Sequence, residues 1–138
     1  MGKRTLPERQ EDILTFSKKR NPFSHPAVMF KKSAVIEAGN YDETYHLFED
    51  YYLWIRMFQS GCVGYNLQDT ILKMRTPLDI YKRRGGWKYA KDLLRFHRWI
   101  SESGWSSWKD FLTGAVPHAV VCVLPNGVRG MIYKRLRG

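Results

Sequence analysis

The chain is 138 residues long and carries 23 Lys and Arg against 13 Asp and Glu, a formal charge of +10. Its hydrophobic fraction of 43%, with 14% aromatics, excludes a disordered chain and supplies material for one modest core. The basic excess predicts an anionic partner: nucleic acid, acidic lipid headgroups or a phosphorylated substrate.

In chain order, residues 1–20 are polar, with a weakly helical stretch at Glu11–Lys19 whose Ile13, Leu14 and Phe16 offer a thin apolar contact. Asn21-Pro22 and His25-Pro26 then punctuate the chain, because the residue before proline is pushed out of the helical region. Ala27 to Phe30 reads as a short strand. A short helix is expected over Ser33–Ala38, with Ser33 as N-cap and Gly39 as its stop. The clearest helix runs from about Glu49 to Ser60, where Leu53, Trp54, Met57 and Phe58 form one buried stripe. Two strands are predicted next, Cys62–Leu67 and Thr70–Arg75, followed by the basic loop Lys82-Arg83-Arg84-Gly85-Gly86. A second long helix covers Trp87–Glu102, with Ala90, Leu93, Leu94, His97 and Ile100 on one face. A third begins near Ser107, which has capping-box spacing to Asp110 and is interrupted by Pro117. In the tail, Val128, Met131, Ile132 and Leu136 share one face among basic residues.

Cys62 and Cys122 are the only cysteines, so neither a disulfide framework nor a thiolate zinc site is expected. The polar N-terminus lacks the apolar stretch of a secretory leader. The longest apolar run, Ala119 to Leu124, falls far short of the ~18–20 residues that span a bilayer. A cytoplasmic protein is expected, peripheral at the inner face of the membrane if bound there at all.

The segment that carries chemistry lies between Asn21 and Arg75. Glu49 and Asp50 open an apolar-striped helix, where two readings stand side by side. Acidic side chains in a first turn meet the positive end of the helix dipole, worth ~0.3–1 kcal/mol each. A helix N-terminus can also keep a carboxylate ionised and facing a cleft, as a general base requires. A lone histidine between polar residues, as at His25, is ordinarily structural.

Context weighs on that choice. Asn21-Pro22-Phe23-Ser24-His25-Pro26-Ala27-Val28-Met29-Phe30-Lys31-Lys32-Ser33 is followed by Ala38-Gly39-Asn40-Tyr41, then by Glu49-Asp50-Tyr51-Tyr52-Leu53-Trp54-Ile55-Arg56-Met57. This order resembles the C-terminal half of bacterial family 2 glycosyltransferases of the GT-A fold, those of capsule, exopolysaccharide and O-antigen assembly, the amylovoran type included. The resemblance covers about Arg4 to Arg98 and more weakly the tail.

The resemblance implies an α/β fold: the acceptor-side part of a Rossmann-like GT-A domain over residues 1–104, with an amphipathic helical tail over 105–138. It implies a hexosyltransferase in which Asp50 is the catalytic base, deprotonating an acceptor hydroxyl as its oxygen attacks a nucleotide sugar. Glu49 would contact acceptor or sugar hydroxyls, and His25 and Asn21 would line the same pocket. Arg83 and Arg84 would meet the diphosphate of a lipid-linked acceptor. Trp54 reads as core, and Arg56 as a brace on a neighbouring carboxylate or carbonyl.

Two departures follow. Asn40 stands where the family pattern often has a second glycine, a change the turn should tolerate. More seriously, the family holds its divalent cation, Mn2+ or Mg2+, on an Asp-x-Asp motif in an N-terminal nucleotide-binding half. No Asp-x-Asp occurs in this chain. The chain alone is therefore not expected to catalyse transfer, and supply of the other half in trans is left open. From Trp105 to Arg137 the chain has only one acid, Asp110. Such a basic apolar tail suits either an anionic membrane surface or the domain's own core. The competing reading is a basic membrane-docking or nucleic-acid-binding module without catalysis. No nucleic-acid-binding motif is present and the aromatics sit at core spacings, so nucleic acid is not the expected partner.

Overall fold

The computed structural model describes residues 5–73, 85–125, 127–129 and 131–132. The chain divides into two compact units, residues 1–73 and 74–138.

In the first unit α1 (Gln10–Ser17) buries Ile13 and Ser17. A single 3-10 turn, His25–Ala27, forms around Pro26. The short helix α2 (Lys32–Glu37) buries Val35. It ends where Gly39 adopts φ +87° and Asn40 φ +60°, the left-handed pair that lets the chain reverse. A second 3-10 turn, Glu43–Tyr45, is opened by Asp42, whose carboxylate accepts the Thr44 N–H at 2.7 Å.

The centre of the unit is α3 (Glu49–Gln59), which buries Tyr51, Leu53, Trp54, Ile55 and Phe58. Leu53 and Ile55 are fully excluded from water, each worth ~1.5–3 kcal/mol of hydrophobic stabilisation. Tyr51 reaches across to α1 and donates its hydroxyl to the Ser17 carbonyl at 2.5 Å. Burial pushes the Tyr51 phenol pKa well above its ordinary value, so it stays a donor.

Beyond Gly61 the chain runs alongside residues 6–10. The Asn66 N–H donates to the Glu8 carbonyl at 3.0 Å, and the Asn66 side chain donates to the carbonyls of Pro7 and Pro22. Gln10 holds the same stretch at two points, accepting the Gly64 N–H at 2.6 Å and donating to the Cys62 carbonyl at 3.4 Å. Cys62, Gly64 and Asn66 are half-buried, whereas Val63, Tyr65 and Leu67 are exposed. Gly64 lies so close to Phe23 that a Cβ there would stand 2.6 Å from the ring.

The second unit is built on α4 (Trp87–Glu102), whose Ala90, Leu93, Phe96, His97, Ile100 and Ser101 face inward. After Gly104 the capping box forms as its spacing predicts. The Ser107 hydroxyl accepts the Asp110 N–H, and the Asp110 carboxylate accepts the Ser107 N–H, opening the one-turn α5 (Trp108–Asp110). A wide π-helical turn, Phe111–Ala115, leads into α6 (Val116–Val123). Pro117 lacks an N–H and would press on the carbonyl four residues back. The widened turn before it accommodates both faults, so the helix is interrupted rather than ended. The turn and α6 pack on α4 through Ala115, Ala119 and Cys122.

Two expectations are corrected. No strand forms among the described residues: Ala27 belongs to a 3-10 turn, 28–30 are irregular, and neither Cys62–Leu67 nor 70–73 enters a ladder. A strand exists only through a partner strand, and the backbone of residues 62–68 finds the side-chain amides of Gln10 and Gln68 and the carbonyls of Met57 and Glu8 instead. The described residues therefore fold as helices joined by irregular segments. Ser33 is not an N-cap, because α2 starts one residue earlier behind Lys31 with no side-chain cap. Cys62 and Cys122 are both free thiols. Among the described residues no helix is long and apolar enough to cross a membrane.

Candidate functional site

The first turn of α3 places Asp50 at a junction of three segments. Its Oδ2 accepts a hydrogen bond from Asn21 Nδ2 at 2.8 Å, and its Oδ1 accepts the Tyr51 N–H at 2.8 Å. The Asn21 amide is itself oriented, since its Oδ1 accepts the Phe23 N–H at 3.2 Å. With the oxygen committed to that backbone donor, the NH2 end must face the carboxylate. His25 Nδ1 stands 3.9 Å from the same Asp50 Oδ2, within ion-pair range and beyond a direct hydrogen bond.

Asp50 thus holds two fixed donors and one imidazole. A carboxylate has about four lone-pair sites, so capacity remains for an incoming hydroxyl. The group is partly open to solvent: the Asp50 side chain is 22% exposed and that of His25 50%. Beneath His25 lies an aromatic floor. Trp54, buried in the core, is 6.2 Å from the imidazole, 5.6 Å from Phe23 and 6.1 Å from Phe30.

Of the residues singled out in the sequence, Asn21, His25 and Asp50 come together although up to 29 positions separate them. Glu49 takes different partners: its carboxylate accepts the Leu47 N–H at 3.0 Å and lies 3.5 Å from His46 Nδ1. It thereby holds the turn preceding α3, where Leu47 is forced to φ +70°. Arg83 and Arg84 lie outside the described residues.

Arg56 braces two carbonyls, donating to Ala38 at 2.8 Å and to Asn40 at 2.5 Å, with its guanidinium 4.2 Å over the Tyr52 ring. A Cβ on Gly39 would come within 2.8 Å of the Arg56 guanidinium, so this turn needs glycine for close approach as well as for its φ. The clamped turn delivers Tyr41 to the site, edge-on to His25 at 5.9 Å. The Tyr41 phenol pKa is raised, first by partial burial and then by the negative charge of Asp50. Local pattern did not mark Tyr41 as a site residue. Its sequence signal is its place in the Ala38-Gly39-Asn40-Tyr41 segment, just after the Gly39-Asn40 reversal.

In the second unit a hollow of about 370 Å3 is bordered by Gly85, Gly86, Cys122 and Arg129. Arg129 Nη1 and the Gly86 N–H both donate to the Cys122 carbonyl, at 2.9 and 2.8 Å. Among the described residues no group of three His, Cys, Asp or Glu side chains converges to hold a metal ion. The donors around Asp50 (one carboxylate, one amide, one imidazole) do not fit the divalent cation implied above.

The chain is related in sequence to bacterial glycosyltransferases. It is 39% identical over 131 residues, 95% of its length, to the UDP-Gal:alpha-D-GlcNAc-diphosphoundecaprenol beta-1,3-galactosyltransferase of Escherichia coli, of which it covers 47%. Over 94 residues, 67% of its length, it is 40% identical to the amylovoran biosynthesis glycosyltransferase AmsE of Erwinia amylovora, covering 35% of that protein. The putative glycosyltransferase EpsE of Bacillus subtilis is 36% identical over 85 residues, with 30% of it covered. The chain therefore spans less than half the length of these curated relatives. No family model matches the chain, and no solved structure does.

Proposed function

We propose that this chain is the acceptor-side part of an inverting family 2 glycosyltransferase of GT-A type, acting in surface polysaccharide assembly with Asp50 as its base. The observation that supports this most is the convergence of Asn21 and His25 on the Asp50 carboxylate at the start of α3. In the reaction, Asp50 takes the proton from an acceptor hydroxyl. The freed oxygen forms a bond to the anomeric carbon as the bond from that carbon to the nucleoside diphosphate breaks on the opposite face. Asn21 and the Tyr51 N–H hold the carboxylate in place, and His25 is close enough to contact the acceptor.

The donor is a nucleotide sugar, a uridine diphosphate sugar by analogy with the E. coli relative, and the acceptor a lipid-linked saccharide. Donor binding and its divalent cation belong to a nucleotide-binding half of the kind the longer relatives have room for. Attachment to an anionic membrane surface fits the second unit, which exposes Trp87, Trp108 and Leu112 on a basic chain.

The test is complementation. The chain is co-expressed with the upstream half of a related enzyme, and transfer from uridine diphosphate sugars is assayed. Transfer that appears on complementation and drops by about 10²–10⁴-fold in Asp50→Asn is the expected result, the range a positioned general base contributes. Transfer unaffected by Asp50→Asn would sink the assignment.

A further inference from the structure

Tyr41 has no task in the core, yet the chain goes to some length to position it. Its ring is 42% exposed. The residues immediately before it occupy two successive left-handed conformations, and Arg56 fixes that turn with two hydrogen bonds to its carbonyls. Asn40 adds a third restraint by accepting the Tyr41 N–H on its side-chain oxygen at 2.9 Å. An exposed aromatic ring on a rigid turn loses little further freedom when something stacks on it.

What it is positioned against is the second observation. The Tyr41 ring meets His25 edge-on, and His25 leads to Asp50 Oδ2 at 3.9 Å. Phe30, also partly exposed, continues the aromatic surface behind Trp54. A flat ring beside a carboxylate, with an imidazole between them, presents an apolar face and polar edges together. The face of a pyranose ring offers the complement: C–H bonds on one side and hydroxyls around the rim.

We propose that Tyr41, with the exposed edge of His25, is the seat of the acceptor sugar. A pyranose stacks on the phenol face, and the hydroxyl directed along His25 is the one presented to Asp50. The inference rests on the acceptor-side reading above and adds the residue that selects which hydroxyl reacts. The Tyr41 phenol, its pKa raised by partial burial and then by the charge of Asp50, also remains a donor to the sugar rim. Arg56 and Asn40 are positioning residues for this platform and touch no substrate.

The experiment uses the full chain and an N-acetylglucosaminyl diphosphate bearing a short alkyl tail, with the sugar-free alkyl diphosphate as the comparison ligand. Calorimetry gives affinity, and saturation-transfer NMR gives the sugar protons that lie against the protein. Wild type should saturate the protons of one pyranose face. Tyr41→Ala should lose that pattern and bind the sugar ligand about tenfold more weakly, leaving the alkyl diphosphate unchanged. Tyr41→Phe should keep the stacking pattern. Thermal melts of each variant separate loss of binding from loss of fold. Sugar binding by Tyr41→Ala equal to wild type, with the same saturated face, overturns the platform and leaves Asp50's role standing. Absence of any saturation transfer from wild type to the sugar protons also overturns the platform, while the Asp50 assignment stands or falls on the complementation assay.

Discussion

The two units hold themselves together by different means. Residues 1–73 contain short helices and irregular segments tied by long-range side-chain bonds: Tyr51 to Ser17, Gln10 to Cys62 and Gly64, Asn66 to Pro7 and Pro22, Arg56 to Ala38 and Asn40. Described residues of 74–138 use regular helices, local caps and an apolar interior in which Phe96 is fully buried and stacks at 5.9 Å on Trp99. Polar side chains tying backbone carbonyls fix geometry at single points, whereas apolar packing fixes a surface. The first unit is thus built to hold particular atoms in place, Asp50 among them, and the second to present helix faces.

That contrast can be broken experimentally. The largest effect belongs to the second unit: Phe96→Ala opens a cavity in its core and should cost about 3–5 kcal/mol. Hydrogen exchange should rise across α4 and α6 while α1 and α3 keep their protection. Equal loss in both units would show that they share one cooperative transition.

A smaller effect comes from His97, whose pKa burial lowers to about 4, with the nearby His118 charge adding to the shift. The ordinary value is 6.5, so between these pH values the unfolded chain takes up a proton that the folded chain refuses. Stability is therefore flat above about pH 7 and falls as pH drops toward 4, by on the order of 3 kcal/mol for this group. Urea midpoints for α4 at pH 7.5 and 4.5 measure it, and His97→Gln should flatten the slope. A slope unchanged in that variant removes His97 as the cause.

The smallest effect tests the point-fixing of the first unit. Arg56→Lys keeps the charge but cannot bridge two carbonyls in one plane, and should cost ~1–2 kcal/mol. The sharper readout is loss of the ring-current shifts that Tyr41 and His25 impose on each other. If those persist in the lysine variant, the turn does not depend on the guanidinium.

The elements that could be foreseen were those whose signal is local. α3 and α4 follow their 3.6-residue apolar period, and Ser107 to Asp110 shows its cap within four residues. Pro117 announces its own disturbance. The strand expectations over 27–30, 62–67 and 70–75 did not materialise among the described residues, because alternation of side chains does not say whether a partner strand is there. Ser33 is a good capping residue one position too late. The grouping of Asn21 and His25 with Asp50 came from the resemblance in motif order, since no periodicity links residues so far apart. Tyr41 escaped because a residue's place beside a site depends on the turn that carries it, and here that turn is held from α3 by Arg56.

Gly64 sets a limit on how independent that site is. The inner side of residues 62–67 presses on the Phe23 ring with no room for a methyl group, and Phe23's own N–H holds the Asn21 amide that aims at Asp50. Only Pro22 lies between the residue in this contact and the amide that steadies the carboxylate. The outer side of the same stretch exposes Val63, Tyr65 and Leu67, with the Tyr65 hydroxyl donating to Glu8. The support of the Asp50 carboxylate thus runs through Phe23 to the inner face of this stretch.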